Sequence, residues 1–447
     1  MYDKPMKVIV VGNGGREHTI AWKLAQSSKV EEVICAPGNG GTALEAKCRN
    51  IAPVNGNYVE IAKTEGCSLA VVGPENPLAE GLADEFWNAG IPAVGPKKAA
   101  AQLEASKDLA KEFMKKYGVA CAESETFTDE KLALEYVEKK GAPIVLKADG
   151  LAAGKGVVVA MTLEKAKLAV KELMEGQAVG DAGKKIVIEE YLRGVEISVL
   201  AAVSVTPEFA KEGKAVIKPF LSARDHKRLL DGAKGPNTGG MGAICPVDDF
   251  TADKVKLFEE NILQPTLKGL VAEGFDYRGF IFFGLMLTKD GPKALEYNVR
   301  LGDPETQAVL PMMDFDFAQM CQAVTEGTLK DFNMKWHSGY QVAPVAVSGG
   351  YPKEYKKGIE IFQNKDKAEN VKAKVFIAGA IEDRRKAEDK KDSTGLITNG
   401  GRVLACSSHG ETFDEAWKNA YQAMDTISFE GMFFRKDIGL PGAAESN

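Results

Sequence analysis

Apolar and polar positions alternate on two different periods along the chain. Over the first hundred residues short apolar runs take turns with helical spacing. Met6 to Val11 (Met-Lys-Val-Ile-Val-Val) is nearly continuous, as in a parallel strand covered on both faces. A helical stretch follows through Ile20, Ala21, Leu24 and Ala25, then apolar runs at Val30–Ala36, Leu69–Val72 and Ile91–Val94, the last preceded by a helix around Leu82–Ala89. This βα alternation predicts a Rossmann-like, doubly wound parallel sheet over residues 1–105.

Further on the pattern changes. Ala101 to Lys115 has one unbroken helical period and is expected to lead into a second domain, 106–330. Residues 120–192 read as strand, helix (Glu130 to Lys140), strand, glycine-rich loop, strand, helix (Leu163 to Glu175), strand: a small α+β lobe. A buried strand, Phe280 to Leu287, turns at Asp290-Gly-Pro into Ala294–Arg300. From 331 to 438 short strands at 341–348, 375–378 and 401–406 and an amphipathic helix from Thr412 to Ile427 predict a third, α+β domain. Asp383–Asp392 reads as a solvated charged loop, and 439–447 as a frayed tail. The expected fold class is α/β and α+β, multidomain, and a single activity is expected of the chain.

Composition narrows the partners. A formal charge of -6 offers no basic footprint for nucleic acid. No apolar run is long enough to span a membrane, and Met1–Lys7 has no signal-peptide pattern. Seven scattered cysteines without a C-x-x-C pair, and four histidines (18, 226, 337, 409) without ligand spacing, argue for reduced thiols in a cytoplasm rather than disulfides or zinc. A monomer acting on small molecules is expected.

The chemistry concentrates in three places. Between the strands at 144–146 and 157–159 lies Lys147-Ala-Asp-Gly-Leu-Ala-Ala-Gly-Lys-Gly156. Gly150, Gly154 and Gly156 let backbone amides approach phosphate oxygens, and Lys147 and Lys155 supply charge. The spacing is one residue short of a P-loop, and a strand follows where a P-loop opens a helix, so the reading is a hairpin lid over phosphates; the alternative is a flexible turn with two solvated lysines. At the N-terminus, loops 12–18, 37–42 and 73–77 should gather at the carboxyl edge of the sheet. Glu17 stands where a dinucleotide fingerprint has its third glycine, so NAD is not expected; backbone amides, Arg16 and Asn39 suit a small phosphorylated or carboxylated substrate instead. Finally, Glu296, Asn298 and Arg300 alternate along one strand and so share a face. A carboxylate and an amide oxygen suit Mg²⁺, and Arg300 offers a fork for a substrate anion. The competing account is a salt-bridged strand surface. Glu189 and Glu196, at strand ends, could accept hydrogen bonds from an adenine amine and ribose hydroxyls, although taken alone they are better explained as surface carboxylates. Ser222–Arg228, with Asp225 at its centre, and Gly235–Ala243 are two further loops rich in anion-contacting groups.

Gly12-Asn-Gly-Gly-Arg-Glu-His18, Pro37-Gly-Asn-Gly-Gly-Thr42, Val72-Gly-Pro-Glu75, the 147–156 loop, Gly235-Pro-Asn-Thr-Gly-Gly-Met-Gly242 and Arg300-Leu-Gly-Asp-Pro-Glu-Thr306 together resemble the phosphoribosylamine–glycine ligase family of ATP-grasp enzymes, in order from residue 6 to about 440. The lid alone marks only the superfamily; Gly302-Asp-Pro-Glu305 with the 235–242 loop is specific to the family. The resemblance implies an ATP-grasp core, a glycyl phosphate intermediate and Mg²⁺ or Mn²⁺. It implies Lys107, Lys147, Lys155, Gly154 and Gly156 at the nucleotide phosphates, Glu189, Glu190 and Leu192 in the adenine hinge, and Glu196 at the ribose. Glu296 and Asn298 become metal ligands. The substrate set is Gly14, Gly15, Arg16, Asn39, Gly40, Glu75, Asp225, Arg300 and Gly302, with Arg300, Lys155 and Asp225 catalytic. One departure stands out: most superfamily members carry a carboxylate on the preceding strand, about where Phe283 or Gly284 stands. The rivals are a biotin-dependent carboxylase subunit or another carboxylate–amine ligase, and an ATP-binding regulatory protein without chemistry.

Overall fold

The computed structural model describes residues 5–150, 156–175, 183–369, 371–383 and 392–443. The first sheet is parallel, in the order β3-β2-β1-β4-β5, from β1 (Met6–Gly12), β2 (Val30–Pro37), β3 (Cys48–Asn50), β4 (Leu69–Val72) and β5 (Ala93–Val94). Its helices include α1 (Gly15–Ala25), α2 (Tyr58–Glu65), α3 (Glu75–Glu80) and α4 (Leu82–Asn88). The apolar runs of β1 and β4 are buried throughout their centres, as a sheet flanked on both faces requires.

Glu17 accounts for the glycines around the first turn. Its carboxylate accepts the Gly14 N–H at 2.7 Å, and its side chain fills the space a methyl group would need on Gly12, 2.5 Å from Cγ, or on Gly73, 2.1 Å from Oε1. The volume a dinucleotide pyrophosphate would occupy at the start of α1 is thus partly taken by an acidic side chain.

The single helix expected from Ala101 to Lys115 is two, α5 (Lys98–Ala105) and α6 (Lys107–Tyr117). Ser106 breaks the run with extended dihedrals and caps α6 by accepting the Leu109 N–H at 3.1 Å. Asp149, from the root of the glycine-rich loop, accepts the Ser106 hydroxyl and the Asp108 N–H, both at 3.2 Å. Helical spacing of apolar residues continues through the cap, which is why periodicity hides the break.

The small lobe is a four-stranded sheet, β6-β9-β7-β8, built from β6 (Ser124–Phe127), β7 (Ile144–Ala148), β8 (Val157–Ala160) and β9 (Ile186–Glu190). Helices α7 (Glu130–Lys140) and α8 (Leu163–Met174) pack on it, with Ala133, Val137, Ala166 and Val170 fully buried. Strands β7 and β8 form an antiparallel hairpin, closed by the Ala148 N–H donating to the Gly156 carbonyl at 2.8 Å. Gly154 and Lys155 lie outside the described residues.

The large sheet is antiparallel and eight-stranded. Its first part comprises β10 (Val195–Val205), β11 (Val216–Asp225), β14 (Gly242–Cys245), β15 (Tyr277–Thr288) and β16 (Gly291–Asn298); the hairpin β12 (Arg228–Leu230)–β13 (Lys234–Asn237) stands off it. It continues without interruption through β17 (Tyr340–Val347), β22 (Arg402–Gly410) and β19 (Lys374–Ile377), in the order β16-β15-β10-β11-β14-β17-β22-β19. A last four-stranded sheet joins β18 (Glu360–Gln363), β20 (Ala380–Glu382), β21 (Ser393–Thr398) and β23 (Ile427–Ser428). The amphipathic helix covers Phe413–Met424, with Thr412 as its cap. Residues 439–443, expected to fray, pack instead: Gly439 donates its N–H to His226 Nε2 at 3.0 Å, and Arg435, fully buried, donates to the Ala443 carbonyl at 2.7 Å. Most of the charge run at 383–392 falls outside the described residues. All seven cysteines are free thiols, and among the described residues no helix is long and apolar enough to cross a membrane.

Candidate active site

Glu296 and Asn298 sit where two antiparallel strands are slightly out of step. In the β15–β16 ladder Glu296 faces Gly284 and Ala294 faces Leu285, so Leu295 is the extra residue of a bulge. The bulge changes the alternation: Ala294 and Tyr297 both enter the core, while Glu296 and Asn298 share the other face. Bulges commonly re-aim side chains in this way beside functional sites. Phe283 is fully buried, edge-on to Phe258 and Tyr297. Gly284 stands opposite Glu296, and a methyl there would lie 3.2 Å from Glu296 Cγ. The strand before Glu296 therefore offers no carboxylate to the site.

Four cations converge on Glu296. Burial alone would raise its carboxyl; Lys227, Lys147, Lys107 and Arg300 outweigh it and hold the group below the ordinary carboxylate range. Lys147 crosses from the lobe to donate to the Leu295 carbonyl at 3.3 Å. Lys107, at the first turn of α6, donates to the Gly150 carbonyl of the glycine-rich loop at 2.7 Å; burial and the neighbouring Lys147 depress its ammonium despite Glu296. The lobe and the β15–β16 strands thus face one another across a common set of charges. Lys227, which the sequence did not single out, ion-pairs with Glu196.

The hinge differs from expectation in detail. Glu189 is buried and bridges two lysines, Lys111 and Lys147, each at 3.0 Å. Its carboxylate, expected at an adenine amine, is instead spent on fixing Lys147. Glu190 points to the opposite face, accepting the Glu123 N–H at 3.0 Å and pairing with Lys293 at 3.1 Å. What the hinge presents is apolar: Leu192 packs with Ala122 and Met286, and Leu295 borders them. Removing one member of a buried ion-pair group costs about 3–5 kcal/mol. Glu189→Ala should therefore lose stability on that scale in denaturant melts and weaken ATP binding through Lys147. A stability loss under about 1 kcal/mol would show that the two lysines do not depend on it.

Arg300 lies just past the end of β16. It donates to Asn298 Oδ1 at 3.3 Å, meets Glu75 Oε2 at 3.2 Å and pairs with Glu104 Oε1 at 2.8 Å. Burial raises the Glu104 carboxyl in spite of Arg300. For Glu75, burial is overcome by Arg300 and Arg16, which hold the carboxyl low. Arg16 pairs with Glu17 and donates to the Leu301 carbonyl at 3.2 Å. The first domain's loops are in this way tied directly to the strand end that carries Asn298.

Two expected substrate contacts are engaged elsewhere. The Asn39 side chain is buried, donating to the Asn13 and Ile377 carbonyls at 2.9 and 2.8 Å and accepting the Gly41 N–H at 2.8 Å. The Gly40 N–H goes to the Ala380 carbonyl at 2.9 Å. Both fasten the 37–42 loop to the third domain. Gly15 makes room for the Gln307 amide and Gly302 for the Glu305 carboxylate. Beside them lies a cavity of about 270 Å³ that includes Asn13, Gly14, Asp303, Asn399 and Arg402. Arg402 spans its floor, donating to the Gly239 and Asp303 carbonyls at 2.6 and 2.7 Å. Asp225, at the end of β11, lies beneath the glycine-rich loop at Gly240. Glu104, Lys111 and Arg402 were not picked out from the sequence, each reading as an ordinary surface charge in its local pattern; Lys227 and Glu305 lay inside quoted motifs but were given no role, and only tertiary packing buries or aims them.

A divalent ion is implied by the nucleotide chemistry. Glu296 is held ionised, and the Asn298 oxygen shares its face: two hard oxygen donors, which suit Mg²⁺ completed by phosphates and water. Among the described residues no group of three or more His, Cys, Asp or Glu side chains is arranged to hold a metal.

Comparison with known proteins gives the same picture over nearly the whole chain. Three domain families match in order: Phosphoribosylglycinamide synthetase, N domain (residues 6–104), its ATP-grasp (A) domain (105–306) and its C domain (341–441). A phosphoribosylamine–glycine ligase of Clostridium acetobutylicum is 48% identical over 97% of this chain and 99% of its own length. That of Escherichia coli K12 is 45% identical over 97% and 98%. The crystal structure of phosphoribosylamine–glycine ligase from Thermotoga maritima superposes with a TM-score of 0.79 at 35% identity, covering 97% of this chain and 100% of that one. The biotin carboxylase domain of Hydrogenobacter thermophilus 2-oxoglutarate carboxylase, in complex with MgADP and bicarbonate, shares the fold, at TM-score 0.68 and 15% identity over 96% and 91%. Sequence, domain order and fold agree, and the chain belongs to the phosphoribosylamine–glycine ligase family.

Proposed function

We propose that this chain joins glycine to 5-phosphoribosylamine at the expense of ATP, a step of purine biosynthesis, giving glycinamide ribonucleotide, ADP and phosphate. The observation that carries the reading is the convergence of Lys107, Lys147, Lys227 and Arg300 on Glu296, at the end of a strand that also presents Asn298. A carboxylate does not condense with an amine in water without activation. Transfer of the γ-phosphoryl group to glycine supplies it as glycyl phosphate, which the amine then attacks.

The residues divide this work. Adenine lies against Leu192 and Met286. Lys107 and Lys147, with Gly156 and the loop residues Gly154 and Lys155, take the phosphates, and Glu196 with Lys227 borders the ribose. Glu296 and Asn298 would hold Mg²⁺ or Mn²⁺, which when bound offsets charge on the transferred group. Arg300, Arg16, Glu75 and the glycines at 14, 15 and 302 shape the substrate end, with Asn39 and Gly40 fixing their loop. No residue need act as a nucleophile, because placement and electrostatics suffice. The acyl phosphate hydrolyses readily, and this reading gives the glycine-rich hairpin the task of excluding water.

ADP release with glycine alone, phosphoribosylamine alone and both together tests the reading. Fast release is expected only with both. Release driven by bicarbonate would favour a carboxylase, and none under any condition a binding protein.

A further inference from the structure

We propose that Asp225 accepts the proton released when the amine of the second substrate attacks the activated carboxyl, with Glu305 as its acidic neighbour. The proposal rests on the ligase reading above and adds a step to it.

The geometry begins with the loop after β13. Gly240 has a left-handed φ of +117°, and a methyl group there would lie 2.5 Å from Asp225 Oδ1 and 2.4 Å from Pro304 Cδ. Only glycine lets the loop settle so closely on the carboxylate. Asp225 Oδ1 is consequently buried, yet it has no hydrogen-bond partner among the described residues. An unmatched buried acceptor costs about 1–3 kcal/mol, and a donor arriving with substrate would recover it.

Its surroundings place it between two ends of the site. The charged groups acting on it are Glu305, Lys227, Arg402 and Glu196. Lys227 pairs with Glu196 and also acts on Glu296, beside which the acyl phosphate would form. Arg402 lines the 270 Å³ cavity together with Asp303 and Gly14, an approach for a phosphorylated amine. Glu305 is buried and fixed by the Ser198 hydroxyl at 2.9 Å. Two neighbouring buried carboxyls resist ionising together. Burial first, and Glu305 second, push the Asp225 carboxyl well above its usual range, against Lys227 and Arg402. A carboxylate so raised is a stronger base than one in water.

The step balances. The amine lone pair forms the C–N bond, and the carbonyl carbon–oxygen bond to the phosphoryl group breaks. Phosphate leaves with that electron pair, and the proton on nitrogen passes to Asp225, then to solvent when the site opens.

Asp225→Asn keeps the shape and removes the base. Ligation should fall by about 10²- to 10³-fold in kcat, while KM for ATP and glycine stays within about threefold. The acid limb of the kcat/KM profile for phosphoribosylamine, set by ionisation of Asp225, should vanish in this variant. In Glu305→Gln, whose loss of charge eases that ionisation, the limb should move to lower pH. An Asp225→Asn enzyme that keeps more than about a third of its turnover, or an acid limb unmoved in Glu305→Gln, overturns the proposal. Failure of the ligase reading would show separately, as wild-type ADP release that does not require glycine.

Discussion

Glu296→Ala should lower ADP formation by about 10³-fold or more, the scale on which phosphoryl transfer depends on its charge-organising groups. Lys107, Lys147, Lys227 and Arg300 all act upon Glu296, and with Asn298 it forms the pair of oxygens suited to a divalent ion. Without it, cations designed to surround both carboxylate and triphosphate face each other across an empty position. The side chain is only partly buried and fills no core volume, so the fold should survive, as circular dichroism and a single unfolding transition would show. The assay is coupled ADP release at saturating ATP, glycine and phosphoribosylamine, with Mg²⁺ and with Mn²⁺. Full activity in the variant would refute the metal assignment.

Arg300→Ala should cost both activity and stability. Its guanidinium pairs with Glu104 at 2.8 Å, and Glu104 is buried, its other oxygen accepting the Val299 N–H at 2.7 Å. Taking away the cation leaves a buried carboxylate with one backbone donor, a loss of about 3–5 kcal/mol. The pH dependence has a definite sign. Burial already raises the Glu104 carboxyl above its unfolded value, and loss of Arg300 raises it further. A carboxyl raised in the folded state contributes stability at low pH and loses it as pH rises. The gap in stability between variant and wild type should therefore widen as pH rises through the raised Glu104 range and shrink on acidification. A gap that is independent of pH would mean that Glu104 is not the group left exposed to the loss.

The periodic elements were legible in the sequence because their cause is local. Continuous apolar runs predicted β1, β2 and β4, and the lobe's helices were read to within a residue or so of where they lie. The shared face of Glu296 and Asn298 followed from strand alternation, although the bulge at Leu295 that sets it against the core could not be read from spacing. Partnership is another matter. Nothing in the local pattern says that Glu189 bridges two lysines, that Asn39 is consumed by the third domain, or that Ser106 divides a helix because Asp149 meets its second half. Each depends on residues dozens to hundreds of positions away. The tail misled for the same reason: Gly, Pro and Ala at 439–443 look loose, yet Arg435 and His226 hold them.

The uninterrupted ladder from β11 through β14 to β17 has a consequence for how the molecule can be divided. Residues 242–245 lie between strands drawn from the grasp core and from the last hundred residues. A chain cut near residue 330 would leave the backbone of β14 open along one edge, a template for association with other chains. The three family segments are thus units of ancestry and not of melting. The core and the C-terminal region should accordingly unfold together, and two well-separated calorimetric transitions would contradict this.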